Sequence, residues 1–227
     1  MFDFTSYDYS AILLSLKVAV TATLISLPFG FATAYIMTFK RFRARITLDI
    51  IVNLPLTLPP VVIGYLLLIL LGRQGPLGRL LAGMGIQIIF TWKAAVIATS
   101  VVGFPLMVRS MRTGMETIDR RLIDASRTLG AGVLDTIISI IAPLSLKGII
   151  AGSLLMFARS LGEFGATIIV AGNIPGVTQT IPLAIYEYTS SPRGDAMALM
   201  LCVISIVISV GVLIFHEWLA GRMERGD

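Results

Sequence analysis

Apolar residues gather in five long runs, at about residues 11–39, 46–71, 94–108, 144–161 and 196–219, and polar residues collect between them. A bilayer core of roughly 30 Å takes about 20 apolar residues per helix, so each run is read as a membrane span. The first carries a single charge, Lys17. The connection 162–195 is too long for a simple turn: GNIPG (172–176) and SSPRGD (190–195) are turn-rich, whereas TIPLAIYEY (180–188) is apolar with aromatics. This pattern predicts an outer re-entrant or interfacial hairpin over about 163–195, buried in protein rather than facing lipid. A sixth full span there is the alternative, and it would move the basic C-terminus outside.

Composition agrees with lipid as the solvent. The chain is 56% hydrophobic and only 14% charged, against about a quarter charged in soluble domains. A chain of 227 residues cannot enclose that many apolar side chains in a water-soluble core. The expected fold is therefore an all-α integral membrane protein. Residues 1–227 form a single transmembrane domain with its core at about 10–219.

Basic residues then orient the spans, because Lys and Arg are retained on the cytoplasmic side. Lys40, Arg41, Arg43 and Arg45 crowd the first connection. Arg109, Arg112, Arg120, Arg121, Arg127 and Lys147 mark the third, and Arg222 and Arg225 follow the last span. The opening MFDFTSYDY has two Asp and no base, and the fourth connection has only Arg193. The N-terminus is expected outside and the C-terminus in the cytoplasm. Arg73, Arg79 and Lys93 in the second connection run against that assignment. The formal charge of +5 follows from this retention and calls for no nucleic acid or other anionic partner.

Candidate chemistry is sparse. No G-x-x-x-x-G-K-[ST] occurs, so no nucleotide-binding loop is expected. Cys202 and His216 stand alone in apolar surroundings, which implies no disulfide, metal cluster or cofactor, and no covalent chemistry is expected of the chain. Pro55, Pro59 and Pro60 fall inside the second run and should kink or break it. Such a break is either a packing kink or part of a transport pathway. Gly148 and Gly152 form a GxxxG that suits close helix packing, within the chain or between chains. Arg159 and Glu163, four residues apart, are expected on one helical face turned to the bundle interior. They read either as a mutually satisfied pair or as a gate along an anion path.

The stretch IDASRTLGAGVLDTIISIIAPL (123–144) is too polar to span and too patterned for a slack linker. A helix entered near Asp124 would gain from an acidic first turn, and Gly130 should end or bend it. The small residues Ala125, Ser126 and Gly130 point to close docking into another surface. Asp124-Ala125-Ser126, then Gly130, Ile140 and Pro143, resembles the EAA loop of binding-protein-dependent ABC importer permeases, E-A-A-x3-G-x9-I-x-L-P. The spacing matches without a gap. Asp124 stands for Glu, Ser126 for the second Ala and Ala142 for Leu.

Within that family, LPLTLPPVVIGYLLL, FPLMVRS, FARSLGEFGATI and GNIPG with TIPLAIY resemble the molybdate branch in the same order over essentially the whole chain. The resemblance implies a type I importer permease in the bacterial inner membrane, lying in lipid and without enzymatic activity of its own. It also implies a homodimer on two cytoplasmic ABC ATPase subunits, fed by an external oxyanion-binding protein. The loop at about 112–143 would be the coupling segment, with Asp124, Ala125, Ser126, Gly130, Ile140 and Pro143 at the ATPase contact. Arg159, Glu163, Pro59 and Pro60 are the candidate pathway or gate residues. Molybdate is the first expectation for the cargo, with tungstate or sulfate and thiosulfate as alternatives. A self-contained secondary transporter is disfavoured, since the spans carry few ionisable groups and no evident inverted repeat. A structural membrane subunit is the remaining reading.

The topology has a direct test. Single cysteines placed at Thr5 and at Gly226 should be labelled by an impermeant thiol reagent from opposite faces of the membrane. Labelling of both from one face would overturn the five-span arrangement.

Overall fold

The computed structural model describes residues 5–40, 42–192 and 194–224, and every regular element among them is helical. Arg41, Arg193, Arg225 and the opening MFDF, used above for orientation, lie outside the described residues. In chain order the helices are α1 (Ser6–Phe39), α2 (Arg45–Thr57), α3 (Pro60–Leu71), α4 (Pro76–Gly83), α5 (Trp92–Glu116) and α6 (Arg120–Thr128). Then come α7 (Val133–Thr136), a π turn (Ile137–Ile141), α8 (Ala142–Leu144), α9 (Leu146–Leu161), α10 (Gly165–Val170), α11 (Ile181–Thr189) and α12 (Asp195–Glu224).

α1 starts with a reciprocal cap. The Asp8 carboxylate accepts the Thr5 N–H at 2.8 Å, and the Thr5 hydroxyl oxygen accepts the Asp8 N–H at 3.4 Å. Two orphan donors are satisfied in this way before the helix enters the bundle. Its inner face is a stripe of small residues, Ala11, Ser15, Ala19, Ala22, Ser26, Gly30 and Ala34, all buried; Ala11 and Ser15 meet α11, and the helix otherwise packs mainly on α5 and α9. Small residues let backbones approach closely, which is where helix contact comes from when lipid supplies no hydrophobic drive. Thr23 and Thr38 add no unpaired hydroxyl, since each donates at 2.8 Å to the carbonyl four residues back.

α5 is the centre of the bundle: 61% of its apolar stretch is buried, against 33% for α1 and 11% for α12. Fully buried Met37, Met107, Met111, Met115 and Met156 fill the space around it. The unbranched thioether adapts to irregular gaps that a β-branched side chain would leave empty. The helix also runs on to Glu116, well past the expected span end at Val108.

Two of the expected spans are not straight. α2 and α3 meet at 114°, with Leu58 and Pro59 between them. Pro55 sits inside α2 without breaking it, while Pro60 opens α3, where a missing N–H costs nothing. The run Val133–Leu144 joins Leu146–Leu161 at 71°. α9 alone, with 16 residues, is about 24 Å long and falls short of a bilayer core. Among the described residues three helices are long and apolar enough to cross a membrane, and five if each bent pair is one span.

Gly148 and Gly152 face α5 within the same chain. A Cβ on Gly148 would lie 2.9 Å from both Gly114 Cα and the Ser110 carbonyl oxygen, and one on Gly152 would lie 2.8 Å from the Met107 carbonyl oxygen. Ser110 Oγ donates to the Gly148 carbonyl at 3.2 Å across the same contact.

Gly148→Leu should therefore cost at least the 1–3 kcal/mol typical of overpacking, about that much or more, and lower the thermal midpoint in detergent. Gly211→Leu on α12, where a Cβ would meet nothing within 4 Å, should leave that midpoint unchanged. Equal midpoints for the two variants would refute the packing assignment.

Candidate functional site

The EAA-like stretch folds as a short helix, a glycine turn and a return. α6 begins at Arg120, not near Asp124: Asp119 is the cap, its Oδ1 accepting the Arg121 N–H at 2.9 Å. Asp119, one residue outside the helix, reaches the orphan donors that the same side chain at Asp124, in the second turn, cannot. The C-terminal end is as expected. Gly130 has φ +89°, its N–H donates to the Arg127 carbonyl at 3.0 Å, and the Ala131 N–H donates to the Ser126 carbonyl at 3.0 Å. This is a Schellman closure, and a Cβ at the turn would be strained by the left-handed backbone.

Of the loop's predicted residues, Asp124, Ala125, Gly130 and Pro143 are exposed, while Ser126 and Ile140 are half-buried. Ser126 is partly occupied within the chain, its Oγ donating to the Ile123 carbonyl at 2.9 Å and pairing with Thr136 Oγ1 at 3.2 Å. Thr136 is 1% exposed, so this link pins the return segment to α6. Ile123 anchors the helix from below, in one buried cluster with Met115, Ile118 and Ile141. Outward, Leu129 is 89% exposed, and Val133, Leu134 and Ile138 are exposed around it. A cavity of about 330 Å³ among Ser126, Leu129, Gly130, Asp135 and Ile140 lies beside them.

The second set of predicted residues converges on two helix breaks. A Cβ on Gly165 would lie 3.0 Å from Pro60 Cβ, and one on Gly64 would lie 2.8 Å from the Ala166 carbonyl oxygen. The α2–α3 break at Pro59 and Pro60 is thus packed on the α9–α10 break. Arg159 and Glu163 do not share one helical face. α9 ends at Leu161, and Glu163 lies in the break, where its Oε1 accepts the Ala166 N–H at 2.8 Å. Its Oε2 pairs with Arg159 Nη2 at 2.6 Å. The glutamate side chain is 1% exposed and the arginine 30%. A buried carboxylate is tolerated because one oxygen has a cation and the other a backbone donor. Ser100, Ser160 and Thr167 carry buried hydroxyls without a hydrogen-bond partner on the helices around this break.

Several polar contacts were not predicted from sequence. Arg112 joins Glu116 at 2.7 Å and Asp49 at 3.3 Å. The i,i+4 spacing of Arg112 and Glu116 is a legible signal, whereas Asp49 is 63 residues away in the chain and gives none. Glu187 accepts from Gln179 Nε2 at 2.5 Å and Asn173 Nδ2 at 3.0 Å, bracing the GNIPG turn. Tyr188 donates to Asp8 at 2.8 Å, which ties α11 to the start of α1. Among the described residues no group of three or more His, Cys, Asp or Glu could hold a metal ion.

Comparison with known proteins places this geometry. The molybdenum transport system permease protein ModB of Escherichia coli (strain K12) is 49% identical over 222 residues, covering 97% of this chain and 96% of that protein. ModB of Mycobacterium tuberculosis is 39% identical over 210 residues, covering 92% of this chain and 80% of that one. Among solved structures, a bacterial alginate ABC transporter in complex with an alginate pentasaccharide-bound periplasmic protein superposes with TM-score 0.77 at 17% identity, over 96% of this chain and 80% of the other. An inward-facing MetNI methionine ABC transporter superposes with TM-score 0.75 at 16% identity, over 98% and 99%. At those identities the structures establish the shared fold. The profile of the family described as binding-protein-dependent transport system inner membrane component matches residues 26–225. The chain belongs to that family of inner membrane permeases.

Proposed function

We propose that this chain is the permease subunit of an importer that carries molybdate into the cytoplasm, driven by a separate ATPase docked on α6. The observation that carries the coupling part is the α6 turn. Leu129, Val133, Leu134 and Ile138 present apolar side chains beside the Schellman glycine, on a loop that is otherwise tied down. An apolar cluster beside a polar helix is the composition of a docking site. The cargo assignment draws on the relatives described as molybdenum transport permeases. In this reading two copies of the chain sit side by side, an external oxyanion-binding protein delivers the cargo, and α6 faces the cytoplasm with the N-terminus outside.

The packing supplies a route for the motion. Only Thr117, Ile118 and Asp119 separate α5 from α6, and the return through α7, the π turn and α8 runs into α9. Displacing α6 pulls on α5 at one end and α9 at the other. Those two helices are locked near that end by the Gly114–Gly148 contact, so they move as a pair. Cargo would pass the paired helix breaks, where Arg159 and the buried hydroxyls lie. An oxyanion held by hydroxyls and one cation already paired with a carboxylate is bound weakly enough to be released. Uptake of molybdate into proteoliposomes bearing permease, ATPase and binding protein, with tungstate and sulfate as competitors, tests the cargo. Stronger competition by sulfate than by unlabelled molybdate would reject the assignment.

For the Arg159–Glu163 pair, Arg159→Ala should cost about 3–5 kcal/mol by stranding a buried carboxylate, and Arg159→Ala with Glu163→Ala much less. Denaturation and uptake measured on the same preparations separate stability from transport. Normal stability and normal uptake in Arg159→Ala would remove both the structural and the pathway role.

For the coupling loop, a Cβ at Gly130 would meet nothing within 4 Å of the chain, so its local cost is confined to the positive φ. That cost is of the order of 1–2 kcal/mol. Gly130→Val should remain folded and membrane-inserted, yet ATP hydrolysis should no longer drive uptake, or the ATPase should no longer co-purify. Wild-type uptake at wild-type abundance would show that the loop is not the coupling site.

A further inference from the structure

On α2, Arg45, Asp49 and Asn53 recur every four residues, a polar stripe on a helix whose Ile46, Ile50, Ile51 and Leu54 are exposed and apolar. Between this helix, the end of α1 and the second half of α5 lies a cavity of about 320 Å³, lined by Asp49, Asn53, Pro105, Arg109 and Arg112 among others. Neither the coupling loop nor the paired breaks uses it.

Two cations, Arg109 and Arg112, stand around it with two carboxylates, Asp49 and Glu116, but both carboxylates sit on Arg112. Arg112 is shared between Asp49 at 3.3 Å and Glu116 at 2.7 Å, so that cation is already neutralised. Asn53 Nδ2 is spent on the Asp49 carbonyl at 2.8 Å. Arg109 lines the same cavity, and its guanidinium has no ion pair or hydrogen bond among the described residues. Arg109 is exposed at this cavity, and a cation facing lipid is costly without a counter-charge. Arg109 lies seven residues before the end of α5 at Glu116, about 10 Å along the helix. Arg109 thus stands just past the apolar run that ends at Val108, where the five-span reading puts the change from hydrocarbon core to headgroups.

We propose that this cavity holds a tetrahedral oxyanion, the phosphate of an anionic membrane lipid, with Arg109 as its cation and Nη2 of Arg112, whose Nε and Nη1 are taken by Glu116 and Asp49, as a further hydrogen-bond donor. Planar guanidinium groups match phosphate oxygens well, and basic pockets between helices take lipid headgroups. The exposed isoleucines of α2 give acyl chains an apolar flank beside the headgroup. The site lies at the end of the bundle that carries α6. On the orientation proposed above this is the cytoplasmic leaflet, but the phosphate chemistry does not depend on that orientation or on the cargo.

Native mass spectrometry of the intact permease–ATPase complex, titrated with phosphatidylglycerol or phosphatidylcholine of equal chain length, tests the proposal. The wild type should retain phosphatidylglycerol preferentially. Arg109→Gln should weaken that retention roughly fivefold, the step expected when one cation is removed from an anionic surface, with phosphatidylcholine unchanged. Arg109→Lys should restore much of it, and Asp49→Asn, which removes the competing carboxylate, should strengthen it. A purely structural role for Arg109 would not produce that increase. Equal retention of phosphatidylglycerol by wild type and Arg109→Gln would overturn the site. Binding of free molybdate or inorganic phosphate at Arg109 that phosphatidylglycerol fails to displace would overturn the lipid assignment.

Discussion

The close approach of α5 and α9 is the constraint from which the rest of the molecule follows. Gly114 and Gly148 have no side chain to separate them, and a Cβ on either would sit 2.9 Å from the other's Cα. In lipid, where apolar burial drives nothing, backbone contact and the bond from Ser110 to the Gly148 carbonyl hold the helices together. α1 then lays its stripe of Ala, Ser and Gly along the same pair. The three elements form a stiff unit, and both ends of the segment around α6 are attached to it.

The two helix breaks in this bundle are placed against each other. The α2–α3 and α9–α10 breaks pack on each other through Gly64, Ala166, Gly165 and Pro60, which covers part of each break and leaves Pro59 and Gly162 exposed. Glu163 serves both purposes at once, capping the short α10 and balancing Arg159. α12 shows the opposite solution, a continuous 30-residue helix with few buried positions. Continuous helices can face lipid because all their backbone groups are paired internally. Broken ones need protein or a water-lined cavity to satisfy the groups they free.

The same division sets how the ends of the bundle differ. At the end carrying α6, charges are numerous and only partly matched, as with Arg112 between two carboxylates and Arg109 with none. At the other end, polar groups are tied into specific bonds, such as Tyr188 to Asp8 and Glu187 to Gln179 and Asn173. Bonded polar groups fix a shape; unmatched charges leave affinity for something outside the chain.

How much of this the sequence determined depends on the range of each interaction. Local rules sufficed for the apolar runs, the helical class, the break at Pro59 and Pro60, and the turn at Gly130, because each depends on side chains or dihedral limits within one helical turn. The spacing from Asp124 to Pro143 marked out the EAA-like segment, though not the start of its helix, which Asp119 took by being nearer the orphan N–H groups. What lay across the fold was not legible. Sequence gave Gly148 and Gly152 a small-residue face but not a partner, and only the packing supplied α5. Spacing put Arg159 and Glu163 on one helix, but the helix ends between them, because Glu163 binds the Ala166 N–H of the next element. Asp49 could not be joined to Arg112, nor Gly165 to Pro60, since no periodicity encodes contacts between residues that the chain brings together only after its helices have bent and packed.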